Sequence, residues 1–271
     1  MANLFASDDM AAGYAAHRPA VHPEVLRLAA ANVPGVSTAQ HTLDVGCGSG
    51  VSAKALREAV PQATTVVGLE PAESMLRSAR AMGMLEQAVA GRAEALPFPD
   101  RTFGLMTAAG SLNYTDDLAA FFGEAARVLH PQGSLAVYDF SPGCIIADEP
   151  ALNHWFRNEF MVRYPRAKDN AIFLDPDILV EKAAGSRLAM TWAHKFRIPL
   201  AIDYEFYVNY MMTETNVAYA IASGKATENE IRTWCRETLA PIFPAEAGPR
   251  QVLFEGYLAV FSVAGVPPVL M

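Results

Sequence analysis

The segment His41-Thr42-Leu43-Asp44-Val45-Gly46-Cys47-Gly48-Ser49-Gly50, with Val66-Val67-Gly68-Leu69-Glu70 following it, narrows the fold more than any other part of this chain. The first stretch reads as a short strand ending in a glycine-rich turn. The second reads as another strand, tipped by a carboxylate. Glycine has no Cβ, so such a turn lets backbone come close to a ligand, and the N-terminus of the helix that follows favours negative charge. Strand, turn, helix and acid-tipped strand make a nucleoside-binding βαβ unit. Glycine spacing then separates the candidate nucleosides. A dinucleotide fingerprint starting at Gly46 needs glycine or alanine at position 51, where Val51 stands. A looser G-x-G-x-x-A match from Gly48 to Ala53 begins beyond the natural end of the strand at Val45. The register that follows the strand is G-x-G-x-G over Gly46, Gly48 and Gly50.

Strand and helix patterns alternate through the first half, which predicts a parallel α/β sheet. A helix is expected over 23–32, a strand over 41–46, a helix over 50–60 and a strand over 64–70. A helix over 72–82 should stop at Gly83, followed by a short strand near 86–90 and another from Phe103 to Ala109. Asp117 to Leu129 reads as an amphipathic helix with aspartate in its first turn, where the dipole favours it. Pro131-Gln132-Gly133 should turn the chain into a strand from Ser134 to Phe140. Beyond Gly143, Trp155, Phe156, Phe160, Met161, Tyr164 and Phe173 stand among arginines and lysines and read as helices added to that core. A strand over 188–199, helices over 203–222 and 227–239 with Gly224 between them, and a last strand over 251–264 complete the pattern.

The 271 residues are 52% hydrophobic, enough for one large domain with a packed core. A net charge of −8 argues against a nucleic-acid partner, which needs a basic surface. Cys47, Cys144 and Cys235 are far apart and show neither disulfide nor metal spacing, which points to a reducing cytoplasm. The first residues are acidic and carry no basic start before an apolar run, so no secretory signal is expected. The apolar stretch from Gly256 to Met271 is interrupted by Gly265, Pro267 and Pro268, so no membrane span is expected either. The six histidines lack ligand spacing, and no metal is expected. His22, His41 and His130 read as surface or capping residues, while His154 and His194 are the candidates for a pocket.

Further motifs follow the glycine turn. Phe103 to Ala109 precedes Leu112-Asn113-Tyr114-Thr115-Asp116, and Glu124-Ala125-Ala126-Arg127-Val128-Leu129-His130-Pro131-Gln132-Gly133-Ser134-Leu135 resembles an E-x-x-R-V-L-K-P-G-G-x-L pattern. Near the start, Phe5 and Tyr14-Ala15-Ala16-His17-Arg18-Pro19 resemble a lead-in segment. Together these are similar to the class I S-adenosylmethionine (SAM)-dependent methyltransferases of the type 11 and type 25 kind, strongly over about residues 5–140. Tyr204 to Ala220 and the last strand look like the small-molecule branch that includes trans-aconitate methyltransferases.

The resemblance implies a Rossmann-like α/β fold, with a seven-stranded, mostly parallel sheet, helices on both faces and helical lid insertions. It implies one domain over 1–271: a SAM-binding core at about 36–143, insertions at about 144–187 and 200–245 over the substrate, and the final strand at about 251–264. SAM is the implied cofactor, leaving as S-adenosylhomocysteine. Gly46, Cys47, Gly48 and Gly50 would cradle its amino acid head, with Tyr14 and Arg18 beside it and Asp44 reaching the ammonium directly or through water. Glu70 would take the ribose diol. Pro71, Met75, Arg92, Ala93, Glu94, Ala108 and Ala109 would complete the cofactor pocket. Two departures stand out. Arg92 occupies a place where the family usually has an acid, and arginine cannot accept a hydrogen bond from the adenine amine, so backbone or Glu94 must. Asn113 replaces a family histidine.

The expected function is methyl transfer to a small-molecule acceptor by in-line displacement. Gly110, Ser111, Asn113, Tyr114 and Phe140 should lie near the methyl group, because ligands in open α/β sheets bind beyond the carboxyl ends of the strands. A carboxylate acceptor needs no base and could be held by Arg157, Arg163 or Arg166. A phenol, hydroxyl or carbon acid needs one, with Tyr14, His154, Asp139 and Glu214 as candidates. The alternatives are a SAM-fold enzyme without methyl transfer, such as a cyclase or an aminopropyl-transfer enzyme, and a non-catalytic SAM-binding partner protein. An NAD dehydrogenase is the remaining reading.

Overall fold

The computed structural model describes residues 16–33, 39–63, 65–147, 149–166, 174–244 and 248–265. The chain divides into two compact units. The sheet unit comprises His22–Phe140, Ala171–Phe196 and Gly256–Met271, and the helical unit comprises Met1–Val21, Ser141–Asn170 and Arg197–Glu255.

In the sheet unit, α1 (Val21–Asn32) precedes β1 (His41–Val45), α2 (Val51–Ala59), β2 (Thr65–Glu70), α3 (Glu73–Ala81) and β3 (Gln87–Ala90). There follow β4 (Phe103–Ala109), α4 (Leu118–Val128) and β5 (Leu129–Phe140). The strand order is β3-β2-β1-β4-β5, all parallel. The central strands β1, β2 and β4 are buried on both faces and so read as largely continuous apolar runs rather than alternating ones, while the edge strand β3 is partly exposed. Residues 256–262 of the last strand, β8 (Arg250–Val263), run antiparallel to β5, with Phe140 opposite Gly256 and Ser134 opposite Ser262. Leu43, Val45, Met106, Ala108, Leu135, Val137, Phe121, Phe122 and Phe261 form the core beneath α4. Each of these side chains except that of Ala108 contributes roughly 1.5–3 kcal/mol relative to leaving it in water. Asp117 caps α4 by accepting the Ala120 N–H at 3.0 Å. Because β1 pairs with both β2 and β4, the order reverses there. The carboxyl ends of β1 and β4 therefore open the crevice where ligands bind in such sheets.

The expected turn at Pro131-Gln132-Gly133 is instead a bulge inside β5. Phe103 pairs with Leu129 and Leu105 with Ser134, so the extra residues are absorbed on the β5 side. A side chain at Gly133 would sit 2.9 Å from the Phe103 carbonyl and 3.0 Å from that of His130. His22 is also not a surface residue. It is 8% exposed, with Nδ1 2.9 Å from the Tyr138 hydroxyl and its ring edge-on to Phe140.

The helical unit holds a helix over residues 151–163 (α5) whose middle, Trp155–Phe160, is π-helical. It also holds α7 (Tyr204–Met212), α8 (Thr215–Ala222) and α9 (Glu228–Leu239), while α6 (Pro176–Ala183) belongs to the sheet unit. The helix expected over 203–222 is two helices. Thr213 bonds its hydroxyl back to the Tyr210 carbonyl at 2.7 Å, and Glu214 is extended, which stops α7 before α8 begins. α9 opens on a reciprocal cap between Thr227 and Glu230. Trp155 stacks on Phe160 and Trp234 at 5.2 and 5.7 Å, and its indole N–H donates to Thr238 at 2.8 Å. Tyr207, Val208, Tyr210 and Met211 are buried, so the aromatic run of α7 is helix core. A short β6 (Ile145–Ile146) pairs with Val252 and Leu253, and β7 (Leu188–Ile202) pairs with β8, so that β6 and β7 extend the expected sheet to eight strands among the described residues. Among the described residues no helix is long and apolar enough to cross a membrane.

Candidate cofactor and acceptor site

The turn after β1 places Gly46, Gly48 and Gly50 at φ 68, 54 and 87. All three lie in the left-handed region that L side chains avoid. Their surroundings differ. A Cβ at Gly46 would stand 2.3 Å from the Ser111 Cβ, and one at Gly50 would stand 2.7 Å from the Met84 Cβ. A Cβ at Gly48 would meet nothing within 4 Å. Gly46 and Gly50 thus answer to the protein's own packing, and Gly48 presents bare backbone to open space. The Leu69 carbonyl anchors the turn by accepting the N–H groups of Gly46 and Cys47 at 2.7 and 3.1 Å. Cys47 packs inward: a side chain at Gly68 would lie 2.6 Å from its sulfur, and burial pushes its thiol far up. The Ser49 hydroxyl is buried with no partner among the described residues.

Glu70, at the tip of β2, accepts the Gly48 N–H at 3.1 Å and the Ala72 N–H at 2.9 Å, one on each oxygen. Burial raises its carboxyl, against the pull of those two N–H groups. Asp44 is fully buried. Its oxygens accept the hydroxyls of Ser52 at 2.5 Å and Thr107 at 2.7 Å, tying β1 to α2 and β4. Burial pushes it up to about 6, opposed by those two hydroxyls.

Along the proposed adenine side, Met75 is buried in α3 and Pro71 is exposed. Arg92 donates to Glu94 at 3.1 Å and Asp116 at 2.5 Å, and the Asp116 N–H donates to Glu94 at 2.9 Å. Ala93 packs against the core, Ala108 is buried and Ala109 half-buried. The E-x-x-R pair explains itself structurally. Arg127 donates to the carbonyls of Leu96 and Phe98 and to Asp100 and Glu124, and Glu124 accepts the Leu96 N–H, so the pair staples the 96–100 loop.

At the carboxyl ends of β4 and β5, Gly110 donates its N–H to the Tyr138 carbonyl. Ser111 donates its hydroxyl to the Val45 carbonyl at 2.7 Å, and Tyr114 is 46% exposed on a short 3-10 turn. Asn113 donates to Asp139 at 2.7 Å, while Phe140 is half-buried against His22. In the helical unit, Arg18 pairs with Glu214 at 2.7 Å and lies 5.3 Å over the Tyr210 ring. His154 is exposed, lining a pocket of about 480 Å³ with Trp155, Glu159 and Thr238. Arg157 and Arg166 are exposed, and Arg163 lies over Trp234. His194 is exposed and stacks on Trp192. Tyr14 lies outside the described residues. Sequence reasoning missed the His22–Tyr138 bond, the Asn113–Asp139 pair and the orphaned Ser49 hydroxyl. Only the orphan carried any local signal, its place inside the glycine turn.

These residues fit SAM. Gly48 leaves the space that a close-lying head group needs, Ser49 holds a donor in want of an acceptor, and Glu70 offers two acceptor oxygens to a diol. The family described as "Methyltransferase domain" matches residues 43–137. Over 117 residues the chain is 33% identical to the demethylmenaquinone methyltransferase of Tropheryma whipplei (strain Twist), covering 42% of this chain and 48% of that protein. The chain thus spans about half the length of the curated relatives it matches. Among solved structures, the YcgJ protein from Bacillus subtilis aligns with a TM-score of 0.54 at 18% identity, covering 90% of this chain and 99% of that one. The [4+2]-cyclase SpnF aligns at 0.50 and 18% identity, covering 90% of this chain and 80% of that one. Both likenesses speak to the fold alone. Residues 43–137 therefore match a methyltransferase domain, the family that the glycine turn and the motifs after it resemble.

Proposed function

We propose that this protein transfers a methyl group from SAM to a small-molecule acceptor. The observation that carries the reading is the pairing of an open, left-handed Gly48 with Glu70, whose carboxylate accepts the Gly48 N–H. Gly46, Cys47 and Gly48 would hold the amino acid head, the Ser49 hydroxyl would donate to its carboxylate, and Glu70 would take the ribose hydroxyls. When bound, SAM supplies a methyl group already activated by its sulfonium. The chain's task is then to hold acceptor and methyl in line, and positioning of this kind can supply roughly 7–11 kcal/mol of a barrier. The net charge of −8 favours a small molecule over a nucleic acid. The name of the Tropheryma relative, demethylmenaquinone methyltransferase, points the same way, toward a small molecule.

The test is calorimetric titration with SAM, S-adenosylhomocysteine and NAD, followed by incubation with SAM and an acceptor panel while S-adenosylhomocysteine release is monitored. Binding of SAM without NAD, and product release with an acceptor, support methyl transfer. NAD binding without SAM overturns it. SAM binding with no release across the panel favours the cyclase-like or partner-protein readings, which the shared fold permits.

A further inference from the structure

We infer that Asp139 takes a proton from the acceptor, which makes the acceptor an acidic O–H or C–H compound rather than a carboxylate. The inference rests on the methyltransferase reading and deepens it. Asp139 lies at the carboxyl end of β5, where a side chain on Gly110 would come within 3.0 Å of its Oδ1. Gly110 leads directly into Ser111, the residue that a side chain on Gly46 would strike. The carboxylate therefore stands beside the loop that packs on the proposed cofactor turn. It is oriented from two sides: Asn113 donates to Oδ2 at 2.7 Å, and the Phe140 N–H donates to Oδ1 at 2.8 Å. A carboxylate oxygen that accepts one hydrogen bond can accept another. Asp139 is half-buried, so the protein does not wholly enclose it.

The groups packed around it favour a protic acceptor over an anionic one. Tyr257 stands opposite Asp139 in the β5–β8 register. Its phenol is held up by burial and then by the charges of Asp139 and Asp175. Behind Asp139, Tyr138 bonds to His22 and feels the buried Asp44 of β1. An acceptor carboxylate entering here would meet like charge from Asp139, whereas a hydroxyl would find an acceptor for its hydrogen. In the step itself the acceptor proton passes to Asp139, and the electron pair left on the acceptor forms the bond to the methyl carbon. The carbon–sulfur bond breaks as its electron pair neutralises the sulfonium. The proton then leaves Asp139 for solvent. Asn113 acts through Asp139 and is a positioning residue.

The test uses the full chain saturated with S-adenosylhomocysteine, titrated with 2-naphthol and 2-naphthoate, two probes that share a ring system and differ in the group presented. Wild type should prefer naphthol by about tenfold, the scale of one hydrogen bond to a charged group. Asp139→Asn should weaken naphthol, tighten naphthoate and shrink that preference at least fivefold, with S-adenosylhomocysteine affinity unchanged. Asn113→Ala should move the preference the same way by less. Equal binding of the two probes, an unchanged preference in Asp139→Asn, binding of neither probe by a protein that holds S-adenosylhomocysteine, or loss of S-adenosylhomocysteine binding in Asp139→Asn overturns the inference. If wild type does not bind S-adenosylhomocysteine at all, the methyltransferase reading itself falls.

Discussion

Gly48→Ala should cost this protein its cofactor while costing it little stability, and a matched control separates the two effects. Gly48 lies at φ 54 with nothing within 4 Å of where a Cβ would stand. The fold therefore has room for alanine, and the native-state cost is the left-handed backbone, roughly 1–2 kcal/mol. For a chain of this size a loss of 1 kcal/mol lowers the melting temperature by about 2–4 °C, so a drop of roughly 2–8 °C is expected. Gly83, at φ 64, is equally open and follows α3 rather than forming part of the turn, so Gly83→Ala should lose a similar amount. Gly46→Ala should fare far worse, because its Cβ would be driven to 2.3 Å from that of Ser111. Differential scanning calorimetry supplies the stabilities and isothermal titration with S-adenosylhomocysteine the affinities. Binding should vanish in Gly48→Ala and persist in Gly83→Ala. Wild-type affinity in a folded Gly48→Ala protein would refute the assignment of the open side of the turn to the ligand.

Glu70→Ala should weaken SAM binding by roughly 1.5–3 kcal/mol through loss of charge-assisted bonds to the ribose, and Glu70→Gln should lose less; unchanged calorimetric affinity in the alanine variant would leave Glu70 as a brace for the Gly48 and Ala72 N–H groups. Asp44, pushed up to about 6 by burial, binds its proton more tightly folded than unfolded. Its contribution to stability is therefore fully present below about pH 4 and lost as pH rises through 6. A shift of about two pKa units corresponds to about 3 kcal/mol. Urea unfolding of wild type and Asp44→Asn at pH 4 and pH 7 should show the variant gaining on wild type by that order, and a constant difference would contradict the assignment. Tyr114→Ala, at an exposed position, should change stability by no more than about 0.5 kcal/mol and leave SAM affinity intact while reducing methyl transfer, read as S-adenosylhomocysteine release.

The parallel sheet was legible because its central strands are largely apolar runs punctuated by glycine, proline or an acid, signals that are local. The glycine turn was legible for the same reason: its requirement is a backbone requirement, and only glycine meets it. What escaped were features made by residues distant in sequence. His22 lies in the first helix and its partner Tyr138 in the fifth strand, so no window of sequence shows that they bond. Asn113 and Asp139 are brought together only by the pairing of β4 with β5. The bulge at Pro131-Gln132-Gly133 was misjudged because a turn and a bulge draw on the same residues, and only the carbonyls of Phe103 and His130 crowding Gly133 decide between them. The break at Thr213 was missed because threonine's hydroxyl bonding to its own helix leaves no pattern in hydropathy.

The same contrast bears on how the site is built. The proposed cofactor half rests on backbone: Gly46, Gly48, Gly50 and the N–H groups that Glu70 accepts. Substitutions there meet conformational or steric limits that no neighbour can relieve. The proposed acceptor half rests on side chains at the ends of β4 and β5, where Asn113, Tyr114 and Asp139 occupy positions whose backbone tolerates other residues. Asn113 illustrates the consequence. Read alone, an asparagine in place of a histidine removes a base. In the fold its amide holds Asp139 from one side while the Phe140 N–H holds it from the other, which is the orientation the proposed base requires. On this proposal, exchanges at the strand ends alter the acceptor while the glycine turn stays as it is.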